Sequence, residues 1–153
     1  MEINSQAPAI ARHEITINAS SEKIWEILTN INGWTAWHPN ISESKLEGLL
    51  QSGTTFRWKS GGTAILSTLQ EVEPQRRLSW TGKAIGTKAI HVWVLEPQEN
   101  GVIVRTEESF EGWLILPLKG MMKKMLDTAL QNWLALLKQK AEEVSPRSIG
   151  KMH

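Results

Sequence analysis

The sequence predicts an α+β domain in which a curved antiparallel sheet of six to seven strands wraps around one long C-terminal helix. Apolar residues recur every three or four positions over residues 118–143, which is the spacing of one helix face. Before this run, segments with a two-residue period follow one another at intervals of about 8–12 residues, as in an antiparallel meander. A short helical segment separates the first strand from the others.

The first third of the chain predicts one strand and two short helices. Residues 12–19 form the strand, in which Ile15 and Ile17 alternate with polar residues. Ser20 is a good N-cap for a helix that continues to about Thr29. Gly33 ends this helix, and residues 34–37 predict one further turn before Pro39.

The middle of the chain predicts the rest of the sheet. Gly61-Gly62 is a tight-turn signal, and residues 97–101 predict a hairpin loop. The predicted strands cover residues 41–50, 54–60, 64–72, 76–82, 88–96 and 102–110.

The long helix sets the expected shape of the interior. Pro117 suits a first helical turn, and 26 residues would span about 39 Å. Seven strands span about 34 Å, so we expect the helix to cross the concave face of the sheet. Because a straight helix cannot touch a bent sheet everywhere, the space between them predicts a ligand cavity.

Size and charge restrict the class of protein. The chain has 153 residues, no cysteine and a net charge of +1, which predicts one domain without disulfides. We expect a flexible arm over residues 1–11, a single domain over 12–143 and a flexible tail over 144–153. The balanced charge predicts no nucleic-acid partner, and no apolar run reaches the ~20 residues of a membrane span. With no signal-peptide pattern, a cytoplasmic location is expected.

Metal and nucleophile motifs are missing from the sequence. The four histidines have no ligand spacing, so no metal site is predicted. There is no Gly-x-Ser-x-Gly motif and no phosphate-binding glycine loop. We therefore expect neither a cofactor nor a covalent nucleophile.

Large apolar side chains predict the wall of the cavity. Eight tryptophans are present, with no tyrosine and two phenylalanines. Aromatic side chains on the inner sheet face can fill a core or line a pocket, and methionine adapts to varied ligand shapes. The predicted lining residues are Phe56, Trp58, Trp80, Trp93, Phe110, Met122 and Met125. The segment with Trp34, Trp37 and His38 is either a structural corner or an entrance gate.

One polar pair is predicted inside the sheet. If Leu95 lies opposite Val104 in the last hairpin, the antiparallel register places His91 opposite Glu108. A buried carboxylate needs a partner, and we expect the imidazole to provide it. His91 and Glu108 are thus the candidate catalytic or ligand-binding polar residues; a purely structural hydrogen bond is the alternative.

The chain resembles the START-like superfamily, also called SRPBCC, with its helix-grip fold, and within it the bacterial polyketide cyclase/dehydrase and lipid-transport-like group. The similarity extends over about residues 12–143. The strings that carry it are SEKIW at 21–25, WTAWHP at 34–39, GTTF at 53–56, EVEP at 71–74, RLSW at 77–80, HVWVLEP at 91–97 and EESFEG at 107–112.

The resemblance implies binding of a small hydrophobic or amphipathic ligand, such as a lipid, polyketide or isoprenoid, by a carrier or binding protein. The alternative is an aromatase/cyclase-type enzyme that uses the same cavity, in which His91 or Glu108 would move a proton. A third option is an interaction module, like the related domain that activates a heat-shock ATPase. An exposed tryptophan could also bury itself in a homodimer.

Overall fold

The computed structural model describes residues 1–143, which form seven strands and two α-helices in the predicted order. The predicted tail, residues 144–153, lies outside the described residues. The strands are β1 (Ala9–Ile17), β2 (Ile41–Leu46), β3 (Thr55–Ser60), β4 (Thr63–Glu73), β5 (Arg77–Ala84), β6 (Thr87–Gln98) and β7 (Gly101–Glu111). The helices are α1 (Ser21–Thr29) and α2 (Lys119–Ala141), with 3-10 turns at Ile31–Ala36 and Leu116–Leu118.

The strands form one antiparallel sheet in the order β1-β7-β6-β5-β4-β3-β2. Strands β2 to β7 are a meander, and β1 joins it beside β7. Gly61 and Gly62 have φ angles of 56° and 84°, which a two-residue turn between paired Ser60 and Thr63 requires. This curved sheet and the long final helix confirm the predicted helix-grip architecture.

Local signals set the start of α1 as expected. The Ser20 hydroxyl accepts a hydrogen bond from the backbone N–H of Lys23 at 3.1 Å. This bond satisfies one of the free N–H groups of the first turn. Ile24, Trp25 and Leu28 then place the buried face of α1 against the core.

Helix α2 runs alongside the open edge of β1. Lys123 Nζ donates to the carbonyl of Ile10, and Lys138 Nζ donates to the carbonyl of Thr16, each at 3.0 Å. The backbone N–H of Asn18 donates to a carboxylate oxygen of Glu142 at 2.8 Å. The eight residue steps from Ile10 to Asn18 span about 27 Å in an extended strand, and the nineteen steps from Lys123 to Glu142 span about 28 Å in a helix. The two segments therefore have nearly equal lengths and can lie side by side throughout.

Helix α2 also covers the concave face of the sheet, although its backbone lies closest to β1. The ring of Trp133 on α2 lies 6.1 Å from that of Trp58 on β3 and 5.6 Å from that of Trp93 on β6, by centroid distance. The side chains buried beneath it are Leu126, Leu130, Trp133, Leu134, Leu137 and Ala141. Met121 and Met125 are exposed instead, on the side of α2 that lines a groove with Asn40.

The predicted N-terminal arm is also corrected. β1 begins at Ala9 rather than residue 12, and Ile3 is buried. The backbone N–H of Asn4 donates to Ser109 Oγ at 3.1 Å, and its side chain donates to Glu111 at 2.7 Å. The outward-facing side chains of Ser79 and Val92 are buried as well. Residues 1–8 therefore pack on the outer sheet face, where small and apolar side chains need cover.

Trp34 is the centre of an aromatic core. Its ring centroid lies 5.5 Å from that of Phe56, 5.4 Å from Trp58, 5.5 Å from Trp80 and 5.1 Å from Trp133. Its indole N–H donates to the carbonyl of Leu28 at 2.9 Å. Trp34 is fully buried, so this residue is a structural corner of the fold.

Neither helix among residues 1–143 has the length and apolar character needed to cross a membrane.

Candidate ligand-binding site

The β6–β7 hairpin brings His91 and Glu108 together. The register pairs Leu95 with Val104, Trp93 with Thr106 and His91 with Glu108, which confirms the pairing predicted from sequence. His91 Nδ1 lies 3.5 Å from Glu108 Oε1. On its other side, His91 Nε2 lies 2.8 Å from Thr106 Oγ1. Thr106 is not among the site residues predicted from the sequence, although it alternates with Glu108 on β7 and therefore lies on the same face.

Burial makes both members of the pair neutral. Desolvation raises the pKa of Glu108 to about 8 and lowers the pKa of His91 to about 3. At pH 7 the carboxyl group is therefore protonated and the imidazole uncharged. The expectation of a carboxylate held by a partner is corrected, because an apolar interior favours loss of both charges over a buried ion pair.

The hydrogen bonds of this pair are incomplete. A separation of 3.5 Å is too long for a formed bond between nitrogen and oxygen, and His91 Nδ1 has no partner among residues 1–143. The indole N–H of Trp93 is likewise buried without a partner in this part of the chain. Buried polar groups are normally paired. One donor on Trp93, the carboxyl group of Glu108 and one nitrogen of His91 thus keep unused bonding capacity.

Aromatic rings surround the imidazole. The ring of His91 stacks on Trp93 with a centroid distance of 5.1 Å and lies 4.8 Å from Trp80. Trp133 approaches at 6.3 Å from α2. These rings keep water away from His91, which is fully buried. The Glu108 side chain retains 11% of its accessible area, so it is less completely enclosed than His91.

Small side chains form the next row of the inner sheet face. Cross-strand pairs join Ser67 to Gly82, Gly82 to Ala89, and Ala89 to Phe110. Ala89 and Phe110 are half-buried. The Ser67 hydroxyl accepts a hydrogen bond from the Trp58 indole N–H at 3.0 Å, so the β4 end of this row lies under the aromatic cluster. The other end of the row is formed by the half-buried Ala89 and Phe110 on β6 and β7.

The predicted lining residues divide between these two ends. Phe56, Trp58, Trp80 and Trp93 belong to one packed aromatic cluster, because Trp34 and Trp133 occupy the space in front of them. Phe110 packs instead with Ala11, Leu126 and Leu130. Met122 is half-buried. Met125 is 53% exposed and faces outwards, so its predicted place inside the cavity is corrected.

Met125 lines an open groove of about 670 Å³ along α2. The groove residues are Asn40, Met121, Lys124, Met125, Thr128, Ala129 and Asn132. The four-residue spacing of Met121, Met125 and Ala129 in the sequence could have indicated this face. A second depression of about 440 Å³ crosses β1 and β7 and is lined mainly by charged side chains, with Arg12, Glu14, Arg105 and Glu107 among them.

His38 is a further buried polar residue. Neither ring nitrogen has a hydrogen-bond partner among residues 1–143, and burial lowers the pKa of the imidazole. Its ring lies 4.4 Å from Trp133 by centroid distance. His38 is thus an uncharged aromatic neighbour of Trp133, two residues before the groove residue Asn40.

Within residues 1–143, no three His, Asp or Glu side chains converge as a metal site requires.

Solved structures share this fold. The "hypothetical protein jhp0584" from Helicobacter pylori matches with a TM-score of 0.81 and 20% identity, over 90% of each chain. A START superfamily protein from Mycobacterium smegmatis matches with a TM-score of 0.78 and 15% identity, over 89% of this chain and 99% of that one. At these identities the likeness establishes the fold alone.

A third similar structure is the di-domain ARO/CYC BexL from the BE-7585A biosynthetic pathway. It matches with a TM-score of 0.74 and 15% identity, over 89% of this chain and 50% of that chain. No match is found among the curated proteins. The family model described as "Polyketide cyclase / dehydrase and lipid transport" matches residues 8–142. With its helix-grip fold and a match over nearly its whole length, the chain belongs to the polyketide cyclase/dehydrase and lipid transport family.

Proposed function

We propose that this protein binds a small hydrophobic or amphipathic molecule, such as a lipid, polyketide or isoprenoid, and carries it without changing it. The observation behind this proposal is a set of polar groups in an apolar wall. The Trp93 N–H and His91 Nδ1 form no hydrogen bond within residues 1–143, and the Glu108 carboxyl group lies 3.5 Å from His91 Nδ1. Such a wall suits the apolar body of a ligand, and a few fixed polar groups give it orientation.

The protonation state narrows the polar end of the ligand. A neutral carboxylic acid donates one hydrogen bond and accepts another. The Trp93 N–H is a donor only. A carbonyl or hydroxyl oxygen therefore suits this site better than a carboxylate, whose charge would be desolvated here without a cationic partner.

The half-buried row at Ala89 and Phe110 is the proposed point of contact. The groove beside Met121 and Met125 lies at the same end of α2 and offers an apolar approach. Because the tryptophans cover the inner face of β3 to β5, the ligand would lie over β6 and β7, beside Ala89 and Phe110. The cytoplasmic location and a homodimer remain predictions from the sequence.

Binding can be tested by native mass spectrometry of freshly purified protein and by tryptophan fluorescence titration with fatty acids, isoprenoid alcohols and aromatic polyketides. We expect native mass spectrometry to show a bound species. If the acid proton of Glu108 binds the ligand, the affinity measured by fluorescence titration should be at least about ten-fold lower in Glu108→Gln than in the wild type. Glu107→Gln is the matched control, because Glu107 faces the outer side and pairs with Arg12 at 2.6 Å. A protein with no bound species and no response to any compound would rule the proposal out.

A cyclase/dehydratase-type enzyme is the second candidate, favoured by the pKa of Glu108 at about 8. An acid that remains protonated near neutral pH can deliver a proton to a leaving hydroxyl group as the C–O bond breaks. The proton of the adjacent carbon would pass to His91 Nδ1, which has no hydrogen-bond partner within residues 1–143 and can return it to Glu108. Incubation of a binding polyketide followed by mass spectrometry distinguishes the two functions. Loss of one water from the compound with wild-type protein, but not with Glu108→Gln, would favour the enzyme over the carrier.

A further inference from the structure

Exposed apolar side chains are concentrated at one end of the molecule. Among residues 1–143, seven of the ten large exposed apolar side chains come from the β5–β6 turn and the segment from Trp113 to Met125. Ile85 is 83% exposed and Trp113 is 73% exposed. We call this set the apolar tip, and its members are Ile85, Trp113, Leu114, Leu116, Leu118, Met121 and Met125.

The two segments of the apolar tip are in direct contact. The backbone N–H of Leu114 donates to the carbonyl of Gly86 at 3.1 Å. A Cβ atom on Gly86 would lie 2.9 Å from the ring of Trp113, so the turn packs closely beneath the indole. Leu118, Met121 and Met125 continue the surface along the first turns of α2 at three- and four-residue spacing. A contiguous apolar area of this kind marks an interaction site rather than scattered surface residues.

Lysines flank the apolar tip without acidic neighbours in the same segments. Residues 82–90 and 112–126 contain five lysines, Lys83, Lys88, Lys119, Lys123 and Lys124, and neither Asp nor Glu. Lys83 lies directly opposite Lys88 on the paired strands, an arrangement in which like charges repel. Lys119 and Lys124 take part in none of the ion pairs seen over residues 1–143. Lys123 pairs with Asp127 at 3.2 Å, and Lys88 lies opposite Glu111 on β7. The tip therefore combines apolar side chains with the positive charge of Lys83, Lys119 and Lys124, which form no ion pair within residues 1–143.

We propose that the apolar tip docks on the surface of an anionic lipid bilayer. Tryptophan, leucine and isoleucine insert into the boundary between headgroups and acyl chains, while lysines reach anionic headgroups around them. A second copy of this chain is a poorer occupant, because it would bring two surfaces face to face that each carry the positive charge of Lys83, Lys119 and Lys124. Since Met121 and Met125 also line the groove along α2, docking would place that groove against the lipid. The inference does not depend on the proposed ligand.

The test is co-sedimentation of the full chain with vesicles of phosphatidylcholine, with and without phosphatidylglycerol. We expect binding to the anionic vesicles only, and weaker binding at higher salt. Ile85→Ser and Trp113→Ser should each weaken binding by about ten-fold or more, since each removes an inserted apolar side chain. Lys124→Glu should weaken it by a similar factor.

Matched controls come from the opposite end of the molecule. Leu49→Ser removes a side chain that is 74% exposed, and Lys45→Glu makes the same charge change on an exposed strand residue. Both should bind like the wild type. Brominated lipids should quench a tryptophan signal that is lost in Trp113→Phe, and unchanged urea midpoints would show that all variants are folded.

Three results would overturn the inference. One is a wild-type protein that stays in solution with anionic vesicles. Another is equal weakening by Leu49→Ser and Ile85→Ser. The third is a concentration-dependent dimer in sedimentation velocity that Trp113→Ser abolishes, which would assign the tip to a second copy of the chain. Ligand titration in solution, without vesicles, tests the proposed function separately from all three.

Discussion

Replacing Glu108 with glutamine should stabilise the folded protein increasingly as the pH rises from 5 to 8. Glu108 has a pKa of about 8 in the fold, against an ordinary value of 4.5. In the wild type the unfolded chain releases this proton at a lower pH than the folded one, so stability is highest below pH 4.5 and decreases towards pH 8. Glutamine has a similar shape and no proton to lose, so the variant avoids this decrease.

The size of the effect follows from the pKa. Each unit corresponds to about 1.4 kcal/mol, so the wild type should lose about 3 kcal/mol relative to Glu108→Gln between pH 5 and pH 7.5. For a domain of this size that difference corresponds to roughly 6–12 °C in melting temperature. At pH 5 both side chains are neutral, so the two proteins should have similar stability.

Urea unfolding at several pH values, followed by tryptophan fluorescence, measures the difference directly. The His91 contribution cancels in this comparison, because the histidine is present in both proteins. Glu107→Gln, one residue away on the outer face, should show no comparable pH-dependent gain. A stability difference between wild type and Glu108→Gln that stays flat from pH 5 to 8.5 would refute the buried, protonated state of Glu108.

Three further predictions concern the same face of the sheet. His91, with a pKa of about 3, should stay neutral down to about pH 4 in NMR titrations of its ring carbons, and its burial should reduce the free energy of unfolding as the pH decreases from 6.5 towards 3; a ring that charges near pH 6 would contradict this. Trp93→Ala should cost about 3–5 kcal/mol in denaturant unfolding because Trp93 is fully buried, whereas the exposed Trp113→Ala should change stability by less than about 1 kcal/mol; a small loss at Trp93 would show that it faces open space. Thr106→Val should cost about 1–3 kcal/mol by removing the hydroxyl that lies 2.8 Å from His91 Nε2, and Thr106→Ser should recover most of the loss; equal losses in both variants would assign the effect to packing.

The strand order and the His91–Glu108 pairing could be predicted from the sequence because they depend on short-range chemistry. The two-residue alternation of β6 and β7 and the short loop between them fix which residues face each other. The Ser20 cap and the Gly61-Gly62 turn act over a few residues in the same way. The family resemblance extended this prediction to the whole fold, because it rests on the order of short motifs along the chain, which can be read from the sequence.

Tertiary structure decided whether the inward-facing tryptophans line open space or pack as core. Alternation predicts that Trp58, Trp80 and Trp93 face inwards, but not what lies in front of them. Trp34 and Trp133, distant in sequence, fill that space, so these tryptophans pack as core.

Helix α2 and the protonation of Glu108 show the same dependence on long-range packing. Helical spacing places Met125 and Leu126 near one stripe, yet only Leu126 is buried, because Leu126 packs against Ala11 of β1 whereas Met125 faces an open groove. The protonation of Glu108 depends likewise on desolvation by strands and helices that the local sequence does not contain. Sequence periodicity thus determined which residues share a face, whereas burial, and with it charge, required the whole fold.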